Sequence, residues 1–230
     1  MKFHIITIFP NIFDSYFGTS ILKRAQEKKI AEIKIHNLRD FAIDTRGTVD
    51  GRPYGGGAGM VLMAEPILKS VSAIKSKVKS QKSKVIVLSA KGRQFNQKMA
   101  YDWSKKYNRL ILISGRYEGI DERVKKILKA EEISMGPYVL TDGEVPAMAI
   151  VSAVTRLLPG AIKLESLAEE SHWNLLLKKE TLRQAQGKKN GLEYPHYTRP
   201  EVLSHKGKKY KVPPVLLSGH HQKIEDWRKK

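Results

Sequence analysis

Three glycine-bearing segments each follow an apolar run, and their residue types suit the binding of a ligand through the backbone. They are Ser89-Ala90-Lys91-Gly92-Arg93 after VIVL, Ser114-Gly115-Arg116-Tyr117-Glu118-Gly119 after LILI, and the stretch from Ser134 to Glu144, SMGPYVLTDGE. Glycine tolerates positive φ and lets the main chain approach a ligand closely, so three such loops together can line a pocket with peptide N–H and C=O groups. Any one of them alone reads equally well as an ordinary turn. A fourth cluster, RPYGGGAGM from Arg52 to Met60, is too rich in glycine for the interior of a helix or strand, and its Arg, Pro and Tyr set it apart from a flexible linker. It reads as a substrate-facing loop. No glycine cluster is followed by Lys-Ser or Lys-Thr, which argues against a Walker loop, and the first strand runs into Phe9-Pro10-Asn11 instead of a dinucleotide fingerprint.

Positioning these loops requires strands that end where they begin. Phe3–Phe9, Ile33–His36, Lys84–Ser89, Arg109–Ser114 and Glu132–Met135 are short runs of Ile, Val and Leu of the kind that form buried parallel strands. Helical patterns over Ser20–Lys29, Glu65–Lys77, Asn96–Lys106, Glu122–Lys129 and Glu144–Leu158 alternate with them. The alternation predicts an α/β domain over residues 1–160 with a mostly parallel sheet covered on both faces. In such sheets ligands bind outside the carboxyl ends of the strands, where the glycine loops fall. Pro159-Gly160 closes the pattern. Residues 161–191 then read as a linker carrying a basic insertion, and residues 192–230 as a small, mainly helical C-terminal domain punctuated by proline.

Charge narrows the partners. The chain carries 42 Lys and Arg against 23 Asp and Glu, a formal net charge of +19. Nine basic residues and no acid lie between Lys69 and Lys98, and SHKGKKYK from Ser204 to Lys211 adds four lysines. A solvated lysine face accounts for either run alone, but the two runs together with the overall excess favour a polyanion, most simply a nucleic acid. An anionic membrane surface is disfavoured because no amphipathic helix presents Trp or Phe opposite the lysines. The longest mostly apolar stretch, Val145–Val154, is too short to span a bilayer, which needs about 18 residues or more. Cysteine is absent, which excludes disulfides, thiol nucleophiles and Cys-ligated metals. No targeting segment is evident, so a cytoplasmic location is expected, and no metal-ligating constellation stands out.

VDGRPYGGGAGM (Val49–Met60), GRYEGIDERV (Gly115–Val124), YVLTDGEVPAM (Tyr138–Met148), YPHYTRPEV (Tyr194–Val202) and VPPVLLSGHH (Val212–His221) resemble, in order, the motifs of the bacterial tRNA (guanine-N1)-methyltransferase family of the knotted (SPOUT) methyltransferases. The resemblance extends over nearly the whole chain. It implies a deep trefoil knot binding S-adenosyl-L-methionine, a homodimer, and methylation of tRNA at N1 of the guanine 3′-adjacent to the anticodon, position 37, which prevents frameshifts. By position, the resemblance places the methyl donor among Leu88, Ser89, Ala90, Gly115, Tyr117, Glu118, Gly119, Met135, Gly136, Pro137, Tyr138, Val139, Leu140, Gly143 and Pro146. Tyr117 and Tyr138 suit core packing as well as ligand stacking.

The same resemblance makes Glu170, in the segment Leu167–His172, the base that takes the guanine N1 proton, with Glu169 the alternative for that role; read without the resemblance, both acids suit the capping of a helix. Arg156 would stabilise charge on guanine O6. Asp50, Arg52, Ser171, His196, Arg199, Lys208, Lys209 and Lys211 would meet the tRNA or its target guanine. Assistance by Mg2+ is not legible in the sequence. Ala90, Asp142 and Arg46 depart from the family's usual proline, glycine and histidine. Two other functions remain open on sequence grounds: a knotted methyltransferase acting on another RNA nucleotide, and a basic RNA-binding module without catalysis.

Overall fold

A computed structural model describes residues 1–76, 82–163, 166–167, 171–172 and 194–228. The chain divides into two compact units, Met1–Ile162 and Lys163–Lys230.

In the first unit, the apolar runs form β1 (Lys2–Thr7) and β2 (Glu32–Asn37), separated by the helices α1 (Asp14–Phe17) and α2 (Ser20–Glu27). Two-residue strands β3 (Asp50–Gly51) and β4 (Val61–Leu62) bracket the glycine cluster and pair antiparallel. Then follow α3 (Ala64–Ser76), β5 (Ser83–Gln94), α4 (Gln97–Lys106), β6 (Arg109–Ser114), α5 (Glu122–Leu128), β7 (Glu131–Ser134) and α6 (Glu144–Thr155). Asn96 and Asp121 cap α4 and α5 by accepting from the backbone N–H of Met99 and Arg123. The main sheet runs β2-β1-β6-β5-β7 with every neighbour parallel. All six residues of β6 are buried, as a central strand covered on both faces requires.

Alternation sorts the core into two layers. Ile6, Val85, Val87, Ile111 and Ile113 pack on one face with Ile67, Val71 and Ile74 of α3 and Val124 of α5. Phe3, Ile5, Ile86, Leu110 and Leu112 point to the other face, which α6 covers with Ala147, Ile150, Val151 and Val154, all fully buried.

One strand differs from its expected length. β5 continues to Gln94, and Ile133 of β7 pairs with both Leu88 and Arg93, so Ser89–Gly92 form a bulge inside a strand rather than a loop beyond its end. At the return a Cβ on Gly92 would fall 2.5 Å from the Ile133 nitrogen, so the re-entry is open only to glycine.

The second unit also departs from its mainly helical expectation. Besides helices at Pro214–Leu217 and His221–Arg228 it contains an antiparallel hairpin, β8 (Val202–His205) with β9 (Lys208–Lys211). The connecting Lys206 and Gly207 both have positive φ, +47° and +75°, the arrangement of a type I′ turn. Tyr197 lies against Trp227 and Tyr194 stacks on the Arg228 guanidinium. The predicted linker falls largely outside the described residues, including Glu169, Glu170 and the basic insertion.

On the α3 face of β1, His4 is buried and stacked on His36, with His4 Nδ1 2.9 Å from His36 Nε2. Burial first, then the charges of His36, Arg109 and Lys34, lower its pKa from 6.5 to about 4. An unfolded chain therefore takes up this proton before the folded one. The contribution is complete above pH 6.5 and is lost as pH falls from 6.5 to 4, a cost on the order of 2–3 kcal/mol. Denaturant titrations between pH 7 and pH 4 should show this loss, and His4→Gln should flatten that part of the profile; an unchanged slope in the variant would assign the pH dependence to other groups.

Candidate functional site

The carboxyl ends of β5, β6 and β7 open onto a cavity of about 420 Å3, within the range of small-molecule and cofactor sites. The three glycine segments meet there. Leu88, Ser89, Ala90, Gly115, Tyr117, Glu118, Gly119, Met135, Tyr138, Val139, Leu140, Gly143 and Pro146 all line it. Gly136 and Pro137 do not appear on the wall. Instead, Gly136 completes a turn in which its N–H and C=O both bond the Ser134 hydroxyl, and the Tyr138 ring lies against its Cα. Tyr117 and Tyr138 are half-exposed at the cavity, which sets aside the core-packing reading of both. Tyr117 holds a φ of +57°, a conformation costly for a side chain bearing Cβ and characteristic of functional loops.

The walls are held in place by close backbone contacts. Gly143 donates its N–H to the Gly115 carbonyl at 2.9 Å. A Cβ on Gly143 would lie 2.5 Å from the Gly115 nitrogen and 2.7 Å from the Ser114 Cα, and one on Gly115 would lie 2.8 Å from the Leu88 carbonyl oxygen. The ends of β5 and β6 and the segment returning from β7 thus touch main chain to main chain.

Beneath this contact lies a polar cluster that the sequence did not single out. Glu144, the first residue of α6, is fully buried. Its Oε1 accepts from the Thr7 hydroxyl at 2.6 Å and its Oε2 from Arg116 Nε at 3.1 Å. Burial raises the Glu144 pKa against the opposing effects of Thr7 and Arg116. Arg116 also packs over the Phe9 ring at 4.5 Å. Asp142 accepts from the N–H groups of Glu144 and Val145, capping α6, and partial burial is outweighed there by these bonds and by Arg116, so its pKa is lowered. The clue in the sequence was an arginine inside GRYEG and two acids flanking the glycine of TDGE.

Electrostatically the cavity runs against the chain. Among the described residues, Glu118, Asp121, Glu122, Glu132 and Asp142 line it against Lys91, Arg116 and Lys125, two negative charges in excess within a chain of net +19. Lys91 and Lys125 are held there by Glu122 and Glu132. Much of the Lys69–Lys98 run is neutralised in the same way: Lys69 pairs with Glu65, Lys84 and Arg93 with Glu131, and Lys98 with Asp102.

The glycine cluster at 52–60 is joined to the same wall. Glu118 N–H donates to the Met60 carbonyl, Leu62 N–H to Gly119, and Asp121 N–H to Leu62, each at 3.0 Å. Gly59, at φ +79°, lies so close to Glu118 that a Cβ there would be 2.5 Å from its carboxylate. Asp50 sits in β3 at the base of this loop, Arg52 is exposed beside it, and Tyr54 is fully exposed near its tip. Arg156 is not brought to the cavity of its own unit. It follows α6, thirteen residues beyond Gly143 and therefore about 20 Å along the helix axis. In the second unit His196, Arg199, Lys208, Lys209 and Lys211 are all exposed. Strand alternation divides the lysines, with Lys209 and Lys211 on one face of β9 and Lys208 on the other. Ser171 lies among the few described residues of its segment, and Glu170 lies outside them.

A parallel sheet whose carboxyl ends carry an acidic, backbone-built cavity defines an α/β protein of the ligand-binding kind. The family model described as "tRNA (Guanine-1)-methyltransferase TrmD" matches residues 1–230. Two relatives described as tRNA (guanine-N(1)-)-methyltransferase are similar over the whole of this chain. The protein from Dictyoglomus turgidum is 50% identical and matched over 84% of its own length. That from Carboxydothermus hydrogenoformans is 48% identical and matched over 82%. The crystal structure of the tRNA (m1G37) methyltransferase from Aquifex aeolicus superposes with a TM-score of 0.75 at 38% identity, covering all of this chain and 88% of that one. The chain belongs to the tRNA (guanine-N1)-methyltransferase family, a family of transferases.

The contact between Gly143 and the end of β6 gives a steric prediction. Gly143 has an ordinary φ of −91°, so Gly143→Ala tests space alone. It should destabilise the first unit by about 3 kcal/mol or more, in the range of severe overpacking. Gly51→Ala, with nothing within 4 Å of the added carbon, should shift the unfolding midpoint little. Equal midpoints for the two variants would show that the crossing can open.

Proposed function

We propose that the chain methylates N1 of the guanine 3′-adjacent to the tRNA anticodon, position 37, with S-adenosyl-L-methionine held in the cavity at the ends of β5, β6 and β7. The observation that carries this reading is the convergence there of thirteen of the fifteen residues expected to bind the donor, within a cavity whose charge is opposite to that of the chain. The residues fit such a group. Its sulfonium is cationic and finds five carboxylates on the wall, its adenine and ribose can be met by loop amides and carbonyls, and about 420 Å3 is room enough. When bound, the donor supplies an activated methyl group, so the protein needs no covalent intermediate.

The chain's own residues have three tasks: to hold the guanine against the donor, to take the N1 proton, and to stabilise the charge that its loss leaves on O6. Asp50 and Arg52 hold the base, a role supported by their position at the base of a loop stitched to the cavity wall. Glu170 takes the proton. Arg156 faces O6, a role suited to the planar donor fork of a guanidinium. Exposed Lys209 and Lys211, with Lys208, His196, Arg199 and Ser171, contact tRNA. Phosphate contacts of this kind supply affinity without sequence information.

The site is shared between two copies of the chain. Arg156 lies about 20 Å along α6 from Gly143 at the cavity of its own unit, and a second protomer is the simplest source of the one that faces the donor. Phe9, Ile12, Tyr16, Val139 and Val145 leave large apolar side chains exposed on the first unit, as an interface would. The crossing of Gly143 over the end of β6 supports a threaded, knotted chain. The protein acts in the cytoplasm, with tRNA as its partner.

Sedimentation should give about twice the 26.1 kDa chain mass, and a fully active monomer would overturn the shared site. With transcripts bearing G or A next to the anticodon, methyl transfer should occur only to G and at N1. Transfer to ribose, or equally to A, would favour another knotted methyltransferase activity. Glu170→Gln should lower the single-turnover rate by about 10² to 10⁴ while both ligands still bind; a normal rate in Glu170→Gln with a loss in Glu169→Gln would move the base by one residue.

A further inference from the structure

A second cavity, of about 240 Å3, lies at the other end of the sheet and plays no part in the reading above. It is lined by Lys2, His4, Lys34, His36, Phe41, Ala73, Ile74 and Arg109. Lys2 and Arg109 open β1 and β6 and sit side by side in register, whereas the first cavity begins where β6 ends, five residues and about 16 Å further on. The two cavities therefore occupy opposite ends of the same strands.

Their chemistry is also opposite. Among the described residues, Lys2, Lys34 and Arg109 line the second cavity and no carboxylate does. The nearby acid among the described residues is Glu32, which lies in register with Lys2 and is held by Lys2 at 2.8 Å and Lys34 at 2.7 Å. Those bonds hold its pKa down to about 2, so it contributes one negative charge against three positive ones. From α3 and the turn at Leu38–Phe41 the described lining residues are Ala73, Ile74 and Phe41, none of them titratable. Arg109 is itself buried and is anchored through Nη1 to the Ile74 carbonyl. His4 is 7% exposed, and its Nε2 is buried without a hydrogen-bond partner among the described residues. A buried polar atom of this kind costs stability unless something satisfies it. The depressed pKa of His4, to which the charges of Arg109 and Lys34 contribute, reports the same positive field from a second direction.

We propose that this cavity is an oxyanion site that takes a phosphate group through Lys2, Lys34, Arg109 and the free Nε2 of His4. Charge-assisted hydrogen bonds to a dianion satisfy the orphaned nitrogen and offset the clustered cations, while Phe41, Ala73 and Ile74 wall the group off from water. The phosphate can come from a free phosphate or phosphomonoester, or from the backbone of an RNA. The two sources differ in charge and in size, which the test exploits.

The test uses the full chain and follows the His4 imidazole by NMR while inorganic phosphate, a nucleoside monophosphate or a short single-stranded RNA is added, with chloride at equal ionic strength as the control. Phosphate should shift the His4 resonances saturably and raise the His4 pKa by about one unit or more, because an adjacent anion favours the imidazolium. Lys34→Gln, a half-exposed strand position that should still fold, should weaken phosphate binding roughly fivefold to tenfold. S-adenosyl-L-methionine affinity in that variant should be unchanged, so failure here and failure of the proposed methyl-donor site are separate results. Saturable binding of phosphate or the monophosphate, with no response to RNA, assigns the site to a small anion. A response to RNA that phosphate displaces assigns it to a backbone phosphate. A His4 signal that follows only ionic strength, or binding unaltered by Lys34→Gln, overturns the proposal.

Discussion

The contact between the Gly143 and Gly115 backbones is the constraint on which the rest of the first unit depends. A 2.9 Å hydrogen bond joins them, and neither position has room for a Cβ. Because the returning chain passes this close to the end of β6, α6 can begin directly beneath it, and the side chain of Glu144 is carried into the interior. A buried carboxylate is expensive unless paired, and Thr7 and Arg116 answer it from β1 and from the cavity loop. That one pairing ties three separate stretches of chain, and Arg116 is thereby fixed at the floor of the cavity.

Much of the α/β plan was legible because buried parallel strands leave an unambiguous trace: VIVL and LILI are apolar on both faces, and β6 falls on its expected residues from Arg109 to Ser114. The bulge in β5 was not, since Ser-Ala-Lys-Gly reads as a strand end and its continuation depends on a partner, β7, far along the chain. β3 and β4 are two residues each and exist by pairing with one another, which no local pattern reveals. The hairpin at Val202–Lys211 was missed for a different reason. Both of its faces are exposed, so the alternation that betrays a strand is absent, although Lys206-Gly207 between two short runs was a usable turn signal.

The site was legible in its glycines more than in its charges. Residues that must be small because backbone meets backbone announce themselves in sequence, and Gly92, Gly115 and Gly143 all do so. Charged residues carry no such mark of burial. Glu144 opens a predicted helix and is interior, the nine basic residues between Lys69 and Lys98 looked like an anion-binding face and five of them hold carboxylates, and Lys2, Lys34 and Arg109 were unremarked yet gather around one cavity.

The three backbone hydrogen bonds that join Met60 and Leu62 to Glu118, Gly119 and Asp121 make one mechanical body of two loops that are far apart in sequence. Ordering either loop then prepays part of the conformational entropy of ordering the other. Linkage makes this reciprocal: whatever free energy an occupant of the cavity lends to the glycine loop, an occupant of that loop returns in equal measure. Cooperativity between two ligands therefore needs no moving domain in this fold, only a short seam of amides shared by their two binding surfaces.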